Sequence, residues 1–338
     1  MKRREKLLLA TLLGVGTAWG AKAWLRSRRR IDLAGRVVVI TGGTSGHGFI
    51  VARLAAEEGA RLVIAARNPG ELRAAEEELR QFGARDVLAV PTDVADPEQA
   101  RALIARTMDH FGRIDVLINN AGIISVGPVE AMTLEDFQQA MATNFWGAVH
   151  TTLAALPAMR SQQFGRIGNV VSIGGKLAVP HLLPYSASKF ALTGFTEGLR
   201  SEVAHDNILV TGIYPTTMRT GGHTHAWFKG NQEAEYTWFA LSDSIPGVSL
   251  SAESVAGKLL EAIKNGDPEL FVPRSSQIVA ALHAMFPSWV AEGLSLLDRT
   301  LPAPTGTPGP AIQGQHLSGK IPATLNRAVP PSARPGTS

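Results

Sequence analysis

Apolar residues in this chain follow two alternating periods. Val37-Val38-Val39-Ile40, Leu62-Val63-Ile64-Ala65, Val87 to Val90, Val116-Leu117-Ile118, Ile167 to Ser172, Ile208 to Tyr214 and Leu270 to Val272 are short, mostly continuous apolar runs rich in β-branched residues. Such runs suit strands buried on both faces. Between them lie stretches with helical spacing: Phe49 to Glu58, Glu71 to Phe82, Pro97 to Phe111, Phe137 to Met159, Tyr185 to Ala204 and Glu253 to Lys264. The alternation predicts an α/β, doubly wound architecture, an about seven-stranded parallel sheet with helices on both faces.

Three segments depart from this rhythm. Residues 221–247 have no clear period but hold Trp227, Phe228, Tyr236, Trp238 and Phe239. Ile278 to Leu297 reads as an apolar helix pair broken near Pro287, within an extension over 276–300. Residues 301–338 contain eight Pro, five Gly and no Phe, Trp or Tyr, the composition of a disordered tail.

Charge sharpens the picture. The 338 residues carry a net +4, with no Cys. Residues 1–30 hold nine Lys/Arg against one Glu, residues 31–300 have a net −7, and the tail adds +3. The body is therefore acidic, which argues against a nucleic-acid-binding face. Absence of Cys excludes a disulfide scaffold and a thiolate metal site. At the N-terminus, basic residues flank the uncharged run Leu7 to Ala21. Counted through Leu25 with Lys22 snorkelling, the segment is 19 residues long, about 28 Å of helix and close to a bilayer core. A retained membrane anchor over 1–30 is expected, with Trp19 and Trp24 at an interface and the body in the cytoplasm. A signal cleaved after Ala21-Lys22-Ala23, or a helix lying on the surface, is the competing reading.

Thr41-Gly42-Gly43-Thr44-Ser45-Gly46-His47-Gly48 joins the first strand to the first helix. Glycines there let backbone approach a diphosphate, and a helix N-terminus supplies N–H donors. The second strand ends in Ala66-Arg67-Asn68, with a base and no acid. A guanidinium there suits a ribose 2′-phosphate, so NADP(H) is expected over NAD(H). Tyr185 and Lys189 stand at i and i+4 on one helical face, where a cation favours the phenolate and makes Tyr185 a usable acid or base. Ser172 precedes them at a strand end. His223-Thr224-His225 offers no third metal ligand and reads as a polar loop, and His181 as a site rim.

Residues 31–275 resemble the classical short-chain dehydrogenase/reductase family. The glycine loop 41–48, Asp93-Val94, Asn119-Asn120-Ala121-Gly122, Asn144, Ser172, Tyr185 and Lys189 carry the resemblance, in order and at family spacing. It implies a Rossmann fold in which Tyr185 exchanges a proton with the substrate oxygen and Ser172 positions that oxygen. Lys189 would lower the Tyr185 pKa and hold the ribose hydroxyls, and Asn144 would support a water-linked proton relay. Gly42, Thr44, Ser45, Gly46, His47 and Gly48 would cradle the diphosphate. Asp93 would bond the adenine amine and Val94 would flank the ring, with Asn120, Ala121 and Gly122 along the cofactor and Thr220 at its carboxamide or phosphate end.

Residues 221–247 would form a substrate lid, its aromatics implying an apolar pocket for a lipophilic ketone or alcohol. Homodimers or homotetramers through the helices around 137–159 and 185–204 are also implied. Two positions depart from the family: His47 replaces Ile or Leu, and Pro215-Thr216 replaces Pro-Gly. These leave a catalytically silent, membrane-tethered NADP-binding scaffold as the alternative.

Overall fold

The computed structural model describes residues 20–21, 23–219, 222–242, 250–304 and 309–317; the apolar run before residue 20, Thr220 and the end of the tail lie outside them. The apolar runs pair as parallel neighbours. Strands β1 (Val37–Thr41), β2 (Arg61–Ala66), β3 (Val87–Pro91), β4 (Val116–Asn119), β5 (Gly165–Val170), β6 (Ile208–Pro215) and β7 (Glu269–Val272) make one sheet in the order β7-β6-β5-β4-β1-β2-β3. Helices α1 (Gly46–Glu57), α2 (Pro69–Gln81), α3 (Pro97–Phe111), α4 (Leu134–Met141), α5 (Gly147–Ser161), α6 (Leu183–Val203) and α8 (Ala252–Asn265) supply the crossovers, while α7 (Gln232–Ser242) lies in the segment expected to form a lid. Strand order reverses between β1 and β4, which opens a crevice at the carboxyl ends of the strands.

Register explains why each run is apolar throughout. Val38 and Ile40 align with Val116 and Ile118 on one side and with Leu62 and Ile64 on the other. These residues pack under α1, α2 and α8 through Val51, Leu72 and Leu259. Val37, Val39, Val63, Leu117 and Ile167 face the opposite layer, built from Leu103, Leu156 and Leu199 of α3, α5 and α6. A strand covered on both faces has no position where a polar side chain reaches water. Side-chain caps start the helices where the sequence offers them. Asn68 accepts from Gly70 and Glu71 N–H at α2, and Asp96 from Glu98 and Gln99 N–H at α3.

One predicted helix is interrupted. The stretch from 137 to 159 divides into α4 and α5 around a π-turn over Ala142–Trp146. Single π-turns insert one residue into a helix and recur at functional positions; here the turn carries Asn144.

Residues 23–29 are helical and dock where β5 to β7 begin. Arg26 pairs with Asp267 at 2.8 Å, Arg30 with Glu261 at 2.7 Å, and the Arg29 carbonyl accepts from buried Arg166 at 2.8 Å. The N-terminal segment thus meets the body at the edge opposite the crevice. No helix among the described residues is long and apolar enough to cross a membrane. The helix pair α9 (Ser275–Met285) and α10 (Pro287–Asp298) turns large side chains outward, Trp289 being 81% exposed.

The expected disorder of 301–338 does not hold for residues 309–317. Ile312–Gln313 pairs antiparallel with Trp227–Phe228 of the lid, which itself pairs with Ser125–Val126. Leu317 is buried in the cluster of Phe228, Tyr236 and Phe239, and Gln232 Nε2 donates to the Pro310 carbonyl at 2.7 Å. A few apolar contacts and one strand pairing order the segment despite its composition. Leu317→Ala is expected to weaken lid closure locally by about 2 kcal/mol, read as faster amide exchange across 226–240; unchanged exchange would contradict the strap.

Candidate active site

The crevice holds a cavity of about 450 Å³. Its floor is the glycine loop, where Thr41 Oγ1 accepts from the N–H groups of Asn120 and Ala121 at 3.0 and 3.1 Å. Asn120 Nδ2 donates to the Thr41 and Gly42 carbonyls, both at 3.1 Å. Gly48 cannot be replaced here: a Cβ would lie 2.1 Å from the Gly42 carbonyl oxygen and 2.4 Å from Asn120 Nδ2. Gly42 itself has φ +65°, in the left-handed region. Bare backbone and the first-turn N–H groups of α1 therefore meet at the switch point, a surface shaped for a diphosphate. The residues present fit a nicotinamide dinucleotide.

At the other end of that surface, the structure places Arg67, Asp93 and Val94 at the carboxyl ends of β2 and β3, outside the cavity. Arg67 is exposed. Asp93 Oδ1 accepts from Ala95 N–H at 3.0 Å, and the Val94 carbonyl accepts from His150 Nδ1 at 3.1 Å. One residue was not singled out from the sequence. Glu71, in the first turn of α2, accepts from Thr44 Oγ1 at 3.3 Å and Asn68 Nδ2 at 3.2 Å, tying the glycine loop to α2. An acid was sought only at the strand end, and this one arrives four residues later, on the helix.

At the reacting end, Ser172, Tyr185 and Lys189 line the cavity together, with Asn144 behind Gly122. Ser172 has φ 148°, an unusual conformation for a residue with a side chain, and its Oγ accepts from Gly174 N–H at 3.0 Å. Tyr185 lies one turn into α6; burial pushes its phenol above the ordinary value, opposed by a hydrogen bond with Ser172. Lys189 is 4% exposed, with Nζ 5.6 Å from the Tyr185 ring centre, and donates to the Val170 carbonyl at 2.9 Å. Burial lowers its pKa to about 7. Burial thus acts on both groups in the same sense, disfavouring the charged form of each: it holds the Tyr185 phenol protonated and draws the Lys189 ammonium toward its neutral amine.

Asn144 is pinned at both ends of its amide. Oδ1 accepts from Ile123 N–H at 2.8 Å, while Nδ2 donates to the Ile123 carbonyl at 3.0 Å and Ser188 Oγ at 2.9 Å. A Cβ on Gly122 would stand 3.1 Å from Asn144 Oδ1 and 3.7 Å from Lys189 Nζ. The glycine leaves open space between the two polar atoms. Thr216, where Pro-Gly is usual, continues the strand: its N–H donates to the Val272 carbonyl at 3.0 Å.

The lid is less exposed to the cavity than its aromatics imply. Phe228, Tyr236 and Phe239 pack on one another, and only Trp238 and Phe239 line the cavity. Ile123, Ile124, Val179, Leu182 and Met218 supply more of the apolar wall. Trp238 is held by a buried carboxylate that sequence reading missed: Glu235, 0% exposed, accepts from Trp238 Nε1 at 2.6 Å and from His181 Nδ1 at 2.8 Å. His181 Nε2 stands 3.7 Å from Asp298 of α10. One imidazole thereby joins the loop before Tyr185, the lid and the C-terminal extension. His223 is buried against the Tyr236 ring.

The pattern of the short chain dehydrogenase family matches residues 36–229, and the chain belongs to that family. It is 33% identical over 259 residues to an uncharacterized oxidoreductase, YxnA, of Bacillus subtilis (strain 168), covering 75% of this chain and 70% of that one. It is 33% identical over 300 residues to 11-beta-hydroxysteroid dehydrogenase A of Arachis hypogaea, covering 86% and 83%. A crystal structure of a short-chain dehydrogenase from Streptomyces avermitilis superposes with a TM-score of 0.68 at 25% identity, covering 80% of this chain and 99% of that one. The protein is therefore an NAD(P)-dependent oxidoreductase acting on a small molecule.

Lys189 yields a stability test. Its folded pKa of about 7 lies below the ordinary 10.5. Between those values the unfolded chain binds more protons than the folded one, so stability rises with pH across that window. Lys189→Met lacks this term. The stability of the variant relative to wild type is expected to shrink steadily from pH 7 to pH 10 in urea titrations. A pH-independent difference would contradict a buried, depressed lysine.

Proposed function

We propose that the protein interconverts a lipophilic ketone and its secondary alcohol with NADP(H). The observation that carries this reading is the meeting of Ser172, Tyr185 and Lys189 at one side of a cavity whose remaining wall is mostly apolar. When bound, the nicotinamide donates or accepts the hydride. Tyr185 gives its proton to the substrate oxygen in reduction and takes it back in oxidation. Ser172 Oγ, oriented by Gly174 N–H, bonds the same oxygen. Lys189 holds the ribose hydroxyls and returns the proton to Tyr185. The space beside Gly122 takes a water that links Lys189 Nζ to Asn144 Oδ1. A catalytically silent binder has no use for a phenol and an ammonium both buried against a cavity, since each is destabilising without a reaction to serve.

Arg67 supports the preference for NADP(H): it is exposed at the end of β2, where a 2′-phosphate would sit. Thr220, outside the described residues, is assigned to the carboxamide or phosphate end of the cofactor. Apolar residues Ile124, Val179, Leu182 and Met218 support a lipophilic substrate, as does the likeness to a plant hydroxysteroid dehydrogenase. The basic-flanked run within 1–30 supports a membrane tether with the body in the cytoplasm. Because residues 23–30 dock at the opposite edge from the crevice, the tether holds the enzyme at a membrane without itself presenting the cavity to lipid. Exposed Trp146 of the π-turn, Leu153 of α5 and Phe190 of α6 support a homodimer through these helices.

Three measurements test the reading. Tyr185→Phe should lower kcat by at least a hundredfold with NADPH affinity unchanged; retained turnover would leave the scaffold reading. Arg67→Ala should weaken NADP+ binding about tenfold or more while sparing NAD+, and equal wild-type affinity for the two cofactors would remove Arg67 from its role. Across ketones of rising chain length, kcat/KM should climb by several-fold per added pair of methylenes, whereas a flat series would contradict an apolar substrate.

A further inference from the structure

His47 is buried, lines the cavity and has no part in the chemistry above. It stands in the first turn of α1, and its ring is the polar feature by which this glycine loop departs from its family. Asn120 fixes which proton the ring carries. The two carbonyls of Thr41 and Gly42 accept from one atom of the Asn120 amide, which must be the amino group. The atom facing His47 Nδ1 at 3.1 Å is therefore the carbonyl Oδ1. An amide oxygen only accepts, so the proton sits on Nδ1. Burial pushes the imidazole pKa down, so the ring is neutral near pH 7. In that tautomer Nε2 carries a lone pair, and Nε2 is buried with no hydrogen-bond partner among the described residues.

An unpaired buried acceptor is destabilising and calls for a donor. A diphosphate offers none at neutral pH, so the helix N-terminus and the imidazole address different groups. The reacting half of a nicotinamide dinucleotide has two kinds of donor, ribose hydroxyls and the carboxamide amino group. The ribose hydroxyls are placed against Lys189. We propose that His47 Nε2 accepts a hydrogen bond from the nicotinamide carboxamide N–H, making His47 a binding residue that sets the rotation of the carboxamide. Among the described residues the ring's polar contacts end at Nδ1, so its Nε2 edge can turn toward an incoming donor while Nδ1–H keeps Asn120. The contact lies at the end common to NAD+ and NADP+, so it stands or falls apart from any preference for the 2′-phosphate.

The test is equilibrium binding of the full chain to NADP+ and to its 3-acetylpyridine analogue, in which an acetyl group replaces the carboxamide and removes its N–H donors. The same pair is run with NAD+ and its analogue. Wild type should bind the natural cofactor about three- to tenfold more tightly. In His47→Leu that ratio should fall to about one, through loss of affinity for the natural cofactor alone. His47→Gln, which keeps an acceptor, should restore part of it. A reading free of any variant is the ¹⁵N resonance of the His47 Nε2 in wild type, expected to shift upfield with NADP+ and not with the analogue. Wild type that does not discriminate, an unchanged ratio in His47→Leu, or a resonance showing a proton already on Nε2 would each overturn the assignment.

Discussion

A lysine ammonium taken out of water is the constraint around which the rest of the site is arranged. Lys189 reaches the carboxyl edge of the sheet from α6, caught by the Val170 carbonyl, and burial alone brings its pKa to about 7. A charge so placed is tolerated where other polar atoms are fixed nearby. Asn144 is such an atom, and fixing it requires the π-turn between α4 and α5. Gly122 must lack a side chain for Asn144 and Lys189 to face a common space. Tyr185 sits beside the same ammonium, its phenol pressed up by the same burial. One shared environment thus moves the two groups apart: Lys189 exchanges its proton near neutrality, while the Tyr185 phenol keeps its own.

Around this centre the chain closes on itself. The lid is bounded on the inside by Ser125–Val126 and on the outside by Ile312–Gln313. His181 and Glu235 tie it to the loop that leads into α6. Substrate space is therefore shaped by segments far apart in sequence, and the wall residue Trp238 takes its orientation from a buried carboxylate rather than from packing alone. The glycine loop lies at the crevice between β1 and β4, while Trp238 and Phe239 of the 221–247 segment form part of the cavity wall.

Local patterns in the sequence carry the sheet, and they mark residues that the fold brings to one cavity. Runs such as Val37 to Ile40 are apolar at every position because both faces are covered, and the glycine loop and the Tyr185–Lys189 spacing are visible within eight residues. What was hidden depends on tertiary contact. The break at Asn144 lies inside a continuous helical period, and only its side-chain bonds to Ile123 show why the helix loosens there. Glu235 looks like any surface acid of a helix until His181 and Trp238 meet it. Of the aromatics in 221–247, Trp238 and Phe239 line the cavity, but Trp227, Phe228 and Tyr236 do not. The proline-rich composition of the tail concealed the few residues, 312 to 317, that pair with the lid.

Lys189 is held, buried, at a proton affinity near neutrality. The most direct test is a pH titration of the protein labelled with ¹³C at the lysine ε-carbons, followed by NMR. The account predicts one lysine resonance titrating near pH 7, absent from Lys189→Met, with the surface lysines titrating near their ordinary value of about 10.4. A spectrum in which the Lys189 resonance titrates with the others, above pH 9.5 or so, would contradict it.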